Sequence, residues 1–470
     1  MRKDVVNYWY GILLCFLFLL IIPRVIATDK LPNFVFIYGD DQGWNAMSHR
    51  TNPDIPGSGS DWFETPSLDQ LANEGMRYSR AYSPGPTCSP SRHSLQWGRS
   101  PAHLKIFGAD GIRESDVDAR PEDSLANTLK KAHPEYSCAH FGKWHICYNT
   151  DDLGFAVNDG NNGNLRKSPD KNDPKYIFSL SKKANDFMEQ QVKEDKPFFL
   201  QISHYADHLD YEALEETVEK YKNKADQATE YHNDPLWAAM NENLDTGIGI
   251  VLDKIDELGI RDSTYIIYTA DNGYECKKDG SHKISERKFY KAYPQRSHKY
   301  TVSEGGIRVP FIVRGPGIPA GVHSEDHVVG TDIFPTILDF VGSADSIPES
   351  VEGTSLVKHL RSGGKVPLQR KEPYLVFKHS KPRAPYDATL IQGDYKYMCS
   401  LLGNESYLFN LREDMGEAKD LSGQYPEKTA EMKKLLFDYL GDKGWDKTRV
   451  ENVVSRKSKK KSKKKKAKKM

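Results

Sequence analysis

Five short apolar runs constrain this chain most: Asn33 to Tyr38, Ser137 to Phe141, Phe198 to Ile202, Tyr265 to Thr269 and Phe311 to Val313. Each has strand length and is bounded by turn or helix signals, which reads as a buried strand. Helical stretches lie between them, opening at Thr65 with Pro66, at Asp234 with Pro235 and near Phe334 with Pro335. A cap followed by proline is the usual entry to a helix. Strands and helices in alternation predict an α/β fold: a large mixed, mostly parallel sheet sandwiched by helices. After about residue 370 the pieces shorten, with strands at Tyr374 to Phe377 and Tyr395 to Met398 and an amphipathic helix from Glu427 to Leu440. This predicts a smaller C-terminal α+β subdomain of antiparallel sheet plus helix. The domain plan is therefore 28–370 for the main domain and 371–450 for the subdomain.

The two ends read differently. Tyr10 to Ile22 is apolar, preceded by Arg2 and Lys3 and followed by Val25-Ile26-Ala27, the pattern of a cleaved export signal over residues 1–27. A membrane anchor needs roughly 20 apolar residues, so export to a secreted or periplasmic location is the expectation. An uncleaved anchor and lipid attachment at Cys15 are the alternatives. Residues 456–470 hold eleven Lys or Arg and no acid, whereas 28–455 hold 52 basic and 65 acidic residues. A self-repelling run such as Lys463-Lys464-Lys465-Lys466 buries no core, so 451–470 is expected to be a disordered arm that contacts polyanions. On an exported chain with an acidic body, a sulfated polysaccharide or an anionic surface fits that arm better than nucleic acid. Of six cysteines, at 15, 88, 138, 147, 276 and 399, five remain after signal removal. They form no C-x-x-C pair, which argues against a thiolate zinc site. Cys138 and Cys147 are candidates for a bridge.

In an open parallel sheet, ligands bind beyond the carboxyl ends of the strands. There this sequence collects its polar residues. The first strand runs into Asp40-Asp41-Gln42-Gly43, the second into Gly142-Lys143-Trp144-His145, the third into His204 and His208, and the fourth into Asp271-Asn272-Gly273. Taken singly, each is an ordinary turn or cap sequence. Together they bring hard oxygen ligands to neighbouring strand ends, which suits calcium or magnesium rather than zinc. His204-x-x-x-His208 has zinc spacing, but it follows a strand and lacks the glutamate of H-E-x-x-H.

The most informative segment is Cys88-Ser89-Pro90-Ser91-Arg92, continuing through Leu95 to Gly98-Arg99. It resembles the signature of the formylglycine-dependent sulfatases, C-x-P-S-R followed by an element ending in Gly-Arg. The likeness extends from Asn33 to about Leu421. Asp40 and Asp41 match that family's first metal pair, Asp271 and Asn272 its second, Lys143 and His145 its G-K-W-H element. Lys299 precedes Glu304-Gly305-Gly306-Ile307-Arg308-Val309-Pro310 as the family's lysine precedes E-G-G-x-R-x-P. Tyr407 to Leu411 and Glu417 to Leu421 resemble its closing strand and acidic turn. Two positions depart. Trp97 stands where threonine is usual, and the third-strand histidine lies outside its usual proline-rich context, where the count from Phe198 favours His208 over His204.

The resemblance implies that a formylglycine-generating enzyme oxidises Cys88, and that Asp40, Asp41, Asp271, Asn272 and the modified Cys88 hold one Ca2+ ion. It further implies that a hydroxyl of the hydrated aldehyde attacks sulfur, with Arg92 and Lys143 steadying its alkoxide form. His208 and Lys299 would protonate the departing alcohol, and His145 would take the proton that lets the aldehyde reform. The expected activity is hydrolysis of sulfate esters on a sulfated carbohydrate. Two other readings stay open: a formylglycine-dependent phosphonate or phosphodiester hydrolase on the same scaffold, and a non-catalytic binder of sulfated glycans that uses the lysine arm.

Overall fold

The run NFVFIYG forms β1 (Asn33–Gly39), and all seven of its residues are buried. In the computed structural model, which describes residues 30–106, 112–165, 167–275, 292–379, 386–401 and 405–445, β1 is the axis of the main sheet. Its companions are β2 (Met76–Tyr78), β4 (Ser137–Gly142), β5 (Val157–Asn158), β6 (Phe198–Ser203), β7 (Thr264–Ala270), β8 (Phe311–Arg314) and β9 (Val322–Ser324). A separate short pair joins β3 (Ala81–Tyr82) to β10 (Val328–Val329). The main sheet has the order β5-β4-β6-β1-β7-β8-β2-β9. It is parallel from β5 through β7; β8 runs antiparallel to β7 and β2, and β9 parallel to β2. The expected mixed, mostly parallel sheet is present. The expected signal (1–27) and lysine arm (451–470) lie outside the described residues. Among the described residues no helix is long and apolar enough to cross a membrane.

Unbroken apolarity in β1, β6 and β7 is explained by cover on both faces. On one side Val35, Ile37, Leu200, Ile202, Ile266 and Tyr268 join a core with the helices Pro66–Glu74, Ile177–Lys193 and Pro235–Glu257. On the other, Phe34 and Tyr265 pack on Phe340 of the helix Ile333–Phe340. Each such side chain, fully buried, contributes roughly 1.5–3 kcal/mol. The helix starts match the sequence with two corrections. Thr65 is the residue before Pro66, but its hydroxyl pairs with Ser48, and the cap is supplied from afar by the Asp245 carboxylate, which accepts from the N–H groups of Ser67 and Leu68 at 2.9 and 2.8 Å. The third helix starts at Ile333, so Pro335 is its third residue rather than its first. Proline is tolerated there because the first-turn N–H groups have no partner inside the helix.

Beyond residue 370, β11 (Leu375–Lys378), β12 (Ala388–Gln392), β13 (Tyr395–Cys399) and β14 (Ser406–Asn410) form an antiparallel four-stranded sheet. The helix Pro426–Asp442 covers it with Met432, Leu436 and Leu440 against Leu390, Tyr397 and Leu408. A buried ionic network ties this sheet to the E-G-G-x-R segment. Lys396 of β13 pairs with Glu304 at 2.8 Å and with Glu417 at 2.7 Å. Arg308 and the Tyr82 hydroxyl each reach Glu304 at 3.1 Å.

Replacing Lys396 leaves two buried carboxylates facing each other with one cation fewer. Lys396→Met is therefore expected to cost about 3–5 kcal/mol of stability, read by denaturant unfolding; a loss below about 1 kcal/mol would contradict the network's structural role.

Candidate active site

Strand register fixes the site. Tyr38 of β1 lies beside Ser203 of β6 and Gly39 beside Ala270 of β7, while Gly142 of β4 lies beside Ser203. Asp40, Lys143, His204 and Asp271 therefore leave the sheet side by side. Backbone bonds continue the pairing past the strand ends: Asp40 N–H donates to Ala206 O at 2.9 Å, Lys143 N–H to Ser203 O at 2.8 Å and Asp271 N–H to Gly39 O at 3.1 Å. Two glycines permit this crowding. A Cβ on Gly142, at φ +98°, would sit 2.0 Å from Ser203 O, and one on Gly273 would sit 1.9 Å from Gly305 O. Asp41 takes the left-handed conformation at φ 60°, tolerated better by Asp than by most residues, and its N–H donates to Asp271 Oδ1 at 3.1 Å.

Cys88 is the first residue of the helix Cys88–Trp97. Its Sγ lies 3.4 Å from Asp40 Oδ1 and 3.6 Å from Asp41 Oδ1. Ligand atoms of Asp40, Asp41, Cys88 and Asp271 all fall within 4.8 Å of one another, every one buried. Three cations interleave with them. Lys143 Nζ donates to both oxygens of Asp40 at 2.8 and 2.6 Å. Lys299 Nζ reaches the Asp41 carboxylate at 2.7 Å. Arg92 grips Asp271 Oδ2 through Nε at 2.9 Å and Nη2 at 2.8 Å, donates to Lys143 O at 2.6 Å, and rests 5.0 Å from the Tyr38 ring centroid.

Charge sets the protonation states. Burial pushes the Asp40 and Asp41 carboxyls up, but Lys143 and Lys299 respectively, with His208, bring both below the ordinary aspartate value. Burial and Asp271 hold the Cys88 thiol well above its usual range. An unmodified Cys88 is thus a neutral thiol, and the thiolate is the nucleophilic form. Burial, then Lys143 and Arg92, push the His145 imidazole down to about 2, so it is neutral.

The donors suit a hard dication. Three carboxylates and an amide offer oxygens of the kind calcium and magnesium take. Asn272 Nδ2 donates to Asp41 Oδ1 at 2.7 Å and to Gly273 O at 2.8 Å, which leaves its buried Oδ1 with no hydrogen-bond partner among the described residues. A buried amide oxygen of this sort requires a partner, and a cation would supply one.

Of the residues expected from sequence, Asp40, Asp41, Cys88, Arg92, Lys143, Asp271, Asn272 and Lys299 converge on one point. His208 joins at the rim, Nε2 lying 3.9 Å from Asp41 Oδ2, whereas His204 is fully buried with neither ring nitrogen bonded among the described residues. The zinc-spaced pair therefore does not act as a pair. His145, at φ 55°, sits close enough to feel the charges of Lys143, Arg92 and Asp271, and its Nδ1 has no hydrogen-bond partner among the described residues. Trp97 is buried at the far end of the helix, nine residues or about 13 Å of axial rise from Cys88, and donates to Arg120 O at 2.8 Å. The departure at this position is a packing feature outside the cluster. Cys138 and Cys147 are both free, so the candidate bridge is absent; Cys147 Sγ instead meets His93 Nε2 at 3.3 Å. Sequence reasoning reaches Glu275 only as the first residue of a candidate substrate loop and not as a member of the site; its Oε2 lies 3.4 Å from Lys299 Nζ and 3.7 Å from His208 Nε2. It comes two residues after the Asp271-Asn272-Gly273 turn, the one signal that could have pointed to it.

A cation-lined site with a set of hard oxygen donors, at the carboxyl edge of such a sheet, suits chemistry on an anionic substrate. The family model described as Sulfatase matches residues 32–343, and the chain belongs to that family, whose members hydrolyse sulfate esters. It is 25% identical to a sulfatase of Formosa agariphila over 88% of this chain and 89% of that protein. It is likewise 25% identical to arylsulfatase G of Rattus norvegicus, over 87% of each. The fold superposes on the crystal structure of Ps i-CgsB with a TM-score of 0.73 at 22% identity, covering 91% of this chain and 97% of that one. A structure of BT4656 in complex with its substrate D-glucosamine-2-N,6-O-disulfate gives 0.68 at 19% identity, covering 88% and 98%.

Ca2+ or Mg2+ at about a hundred times its dissociation constant is expected to stabilise the protein by about 2.7 kcal/mol, raising Tm by a few degrees. Asp271→Asn and Asn272→Ala should each diminish that rise in a thermal melt. An equal rise in both variants would place the ion elsewhere.

Proposed function

We propose that this sulfatase hydrolyses sulfate esters of a carbohydrate, using a formylglycine made from Cys88 and one bound Ca2+ ion. The observation that carries the reading is residue 88 itself: it opens a helix directly against three carboxylates and three cations, in a position where the encoded thiol is held neutral. Relatives include an ulvan-active sulfatase of Formosa agariphila and an N-acetylgalactosamine-6-sulfatase of Sus scrofa, at 25% and 26% identity, which supports a sulfated carbohydrate as substrate. Asp40, Asp41, Asp271 and Asn272 would hold the ion. Calcium and the hydrated aldehyde would together supply a Lewis acid and an oxygen nucleophile.

The remaining work falls to side chains. Lys143, Lys299 and Arg92 surround residue 88 with positive charge, which stabilises the anionic oxygens of a sulfate ester as charge grows on them. His208 at the rim and the buried Lys299 both face Asp41, and the family likeness gives these two the proton that the departing alcohol needs. The family likeness gives His145 the proton that residue 88 releases once sulfate has been transferred to it; the anionic sulfate would offset the Lys143 and Arg92 charges that otherwise keep this imidazole a weak base. Cys88, Pro90 and Arg92 are buried in the folded protein, so a formylglycine-generating enzyme that reads them must act before this segment packs. Export through the segment 1–27 would give that enzyme an unfolded chain, and the lysine arm at 451–470 would hold the product near a polyanionic matrix. The acidic body speaks against nucleic acid as a partner.

Mass spectrometry of the peptide containing residue 88 is expected to show sulfur replaced by a carbonyl oxygen in active protein, and Cys88→Ala should lower kcat/KM on a sulfate ester by roughly a thousandfold or more. Full activity from a chain carrying an intact cysteine would sink the mechanism.

A further inference from the structure

Glu275 differs from the other acids of the site in exposure and in company. Asp40, Asp41 and Asp271 are sealed at 1% or less, while the Glu275 side chain keeps 16% of its surface open. Its backbone is held where the Lys299 N–H donates to Tyr274 O at 2.7 Å. Oε2 faces Lys299 and His208, and Oε1 accepts from the Tyr300 hydroxyl at 3.2 Å. A simple explanation is that Glu275 neutralises Lys299. Yet Lys299 already holds the Asp41 carboxylate at 2.7 Å, closer than its 3.4 Å to Glu275. An ionised carboxylate has about four acceptor sites, so Glu275 retains capacity on its open side.

Resting on the sulfatase reading above, the leaving oxygen must lie within reach of His208 and Lys299. Glu275 touches both, so it must also lie close to the part of the sugar nearest the ester. We propose that Glu275 is a specificity-determining residue: its carboxylate accepts a hydrogen bond from the hydroxyl nearest the scissile ester and rejects a second sulfate or a carboxylate there. The substrate class is then a singly sulfated sugar unit with a free neighbouring hydroxyl. A carboxylate accepts from a neutral donor and repels an anion, and selectivity arises from both terms.

The test uses the mature holoenzyme and its Glu275→Gln and Glu275→Lys variants. Substrates are 4-nitrophenyl sulfate, galactose and N-acetylgalactosamine monosulfates at each position, and the same sugars with a second sulfate beside the first. Wild type should favour the monosulfate over its disulfated partner. Glu275→Gln should shrink the kcat/KM ratio by roughly ten- to a hundredfold, chiefly through KM, and Glu275→Lys should tilt it toward the disulfated sugar. Equal losses on every substrate would overturn the proposal, showing that Glu275 acts only through Lys299 and His208. So would a wild type without preference, or one that cleaves the aryl sulfate but no sugar. Failure to release sulfate from any substrate would instead refute the sulfatase reading itself.

Discussion

Mutual neutralisation of six buried ionic groups is the interaction on which the rest of the molecule depends. Asp40, Asp41 and Asp271 are sealed from water with Arg92, Lys143 and Lys299, and none of them could remain charged there alone, because stranding one buried charge costs several kcal/mol. The groups come from strand ends, one helix and one loop that are far apart in sequence. Their pairing therefore fixes the relative position of those elements as firmly as the apolar sheet beneath. The cluster balances at zero. A dication bound among its carboxylates would leave a local charge of plus two, and an anionic sulfate ester then enters a pocket already biased toward it. Affinity for the ion and affinity for the anion are thus linked through one electrostatic balance.

A second ionic knot supports the first. Glu304, Arg308, Lys396 and Glu417 are buried where the C-terminal sheet meets the loop that delivers Lys299. Gly273 N–H donates to Gly306 O at 3.1 Å, so the turn bearing Asp271 and Asn272 hangs from the same segment. The small sheet acts as a brace: through Lys396 it holds the backbone that positions the Asp271-Asn272 turn and the segment carrying Lys299. Burying charge to do so is costly compared with apolar packing, but it fixes register, which a greasy contact could not.

Most of the architecture was legible because the strands are buried on both faces and so read as unbroken apolar runs, Asn33 to Tyr38 above all. Polar residues gather just beyond the carboxyl ends of parallel strands, so Asp40, Lys143 and Asp271 stood out by position. Capping was legible only where it is local. Asp234 caps its own helix, accepting from Leu236 and Trp237 N–H at 3.2 and 3.3 Å, but Thr65 yields to the distant Asp245, which no local pattern reveals. The choice of His208 over His204 turned on how the chain bends after β6. The fold puts His208 beside Asp41 and turns His204 into the interior, a difference in placement that counting along the chain does not reveal.

Glu275 was illegible for a different reason, and that reason bears on how such enzymes diverge. The buried acids and cations are constrained by charge balance and by each other, so their identities and spacing leave a signature in the chain. A residue at the rim answers to the substrate rather than to its neighbours. Its side chain keeps 16% of its surface open, against 1% or less for the three aspartates, so folding constrains its identity less tightly. It can still be consequential for selectivity, where a single charged hydrogen bond is worth about a tenfold factor or more. In a fold with a fixed ionic centre, substrate choice is therefore written in the groups that touch both the leaving-group side and solvent, and Glu275 is placed where those two meet.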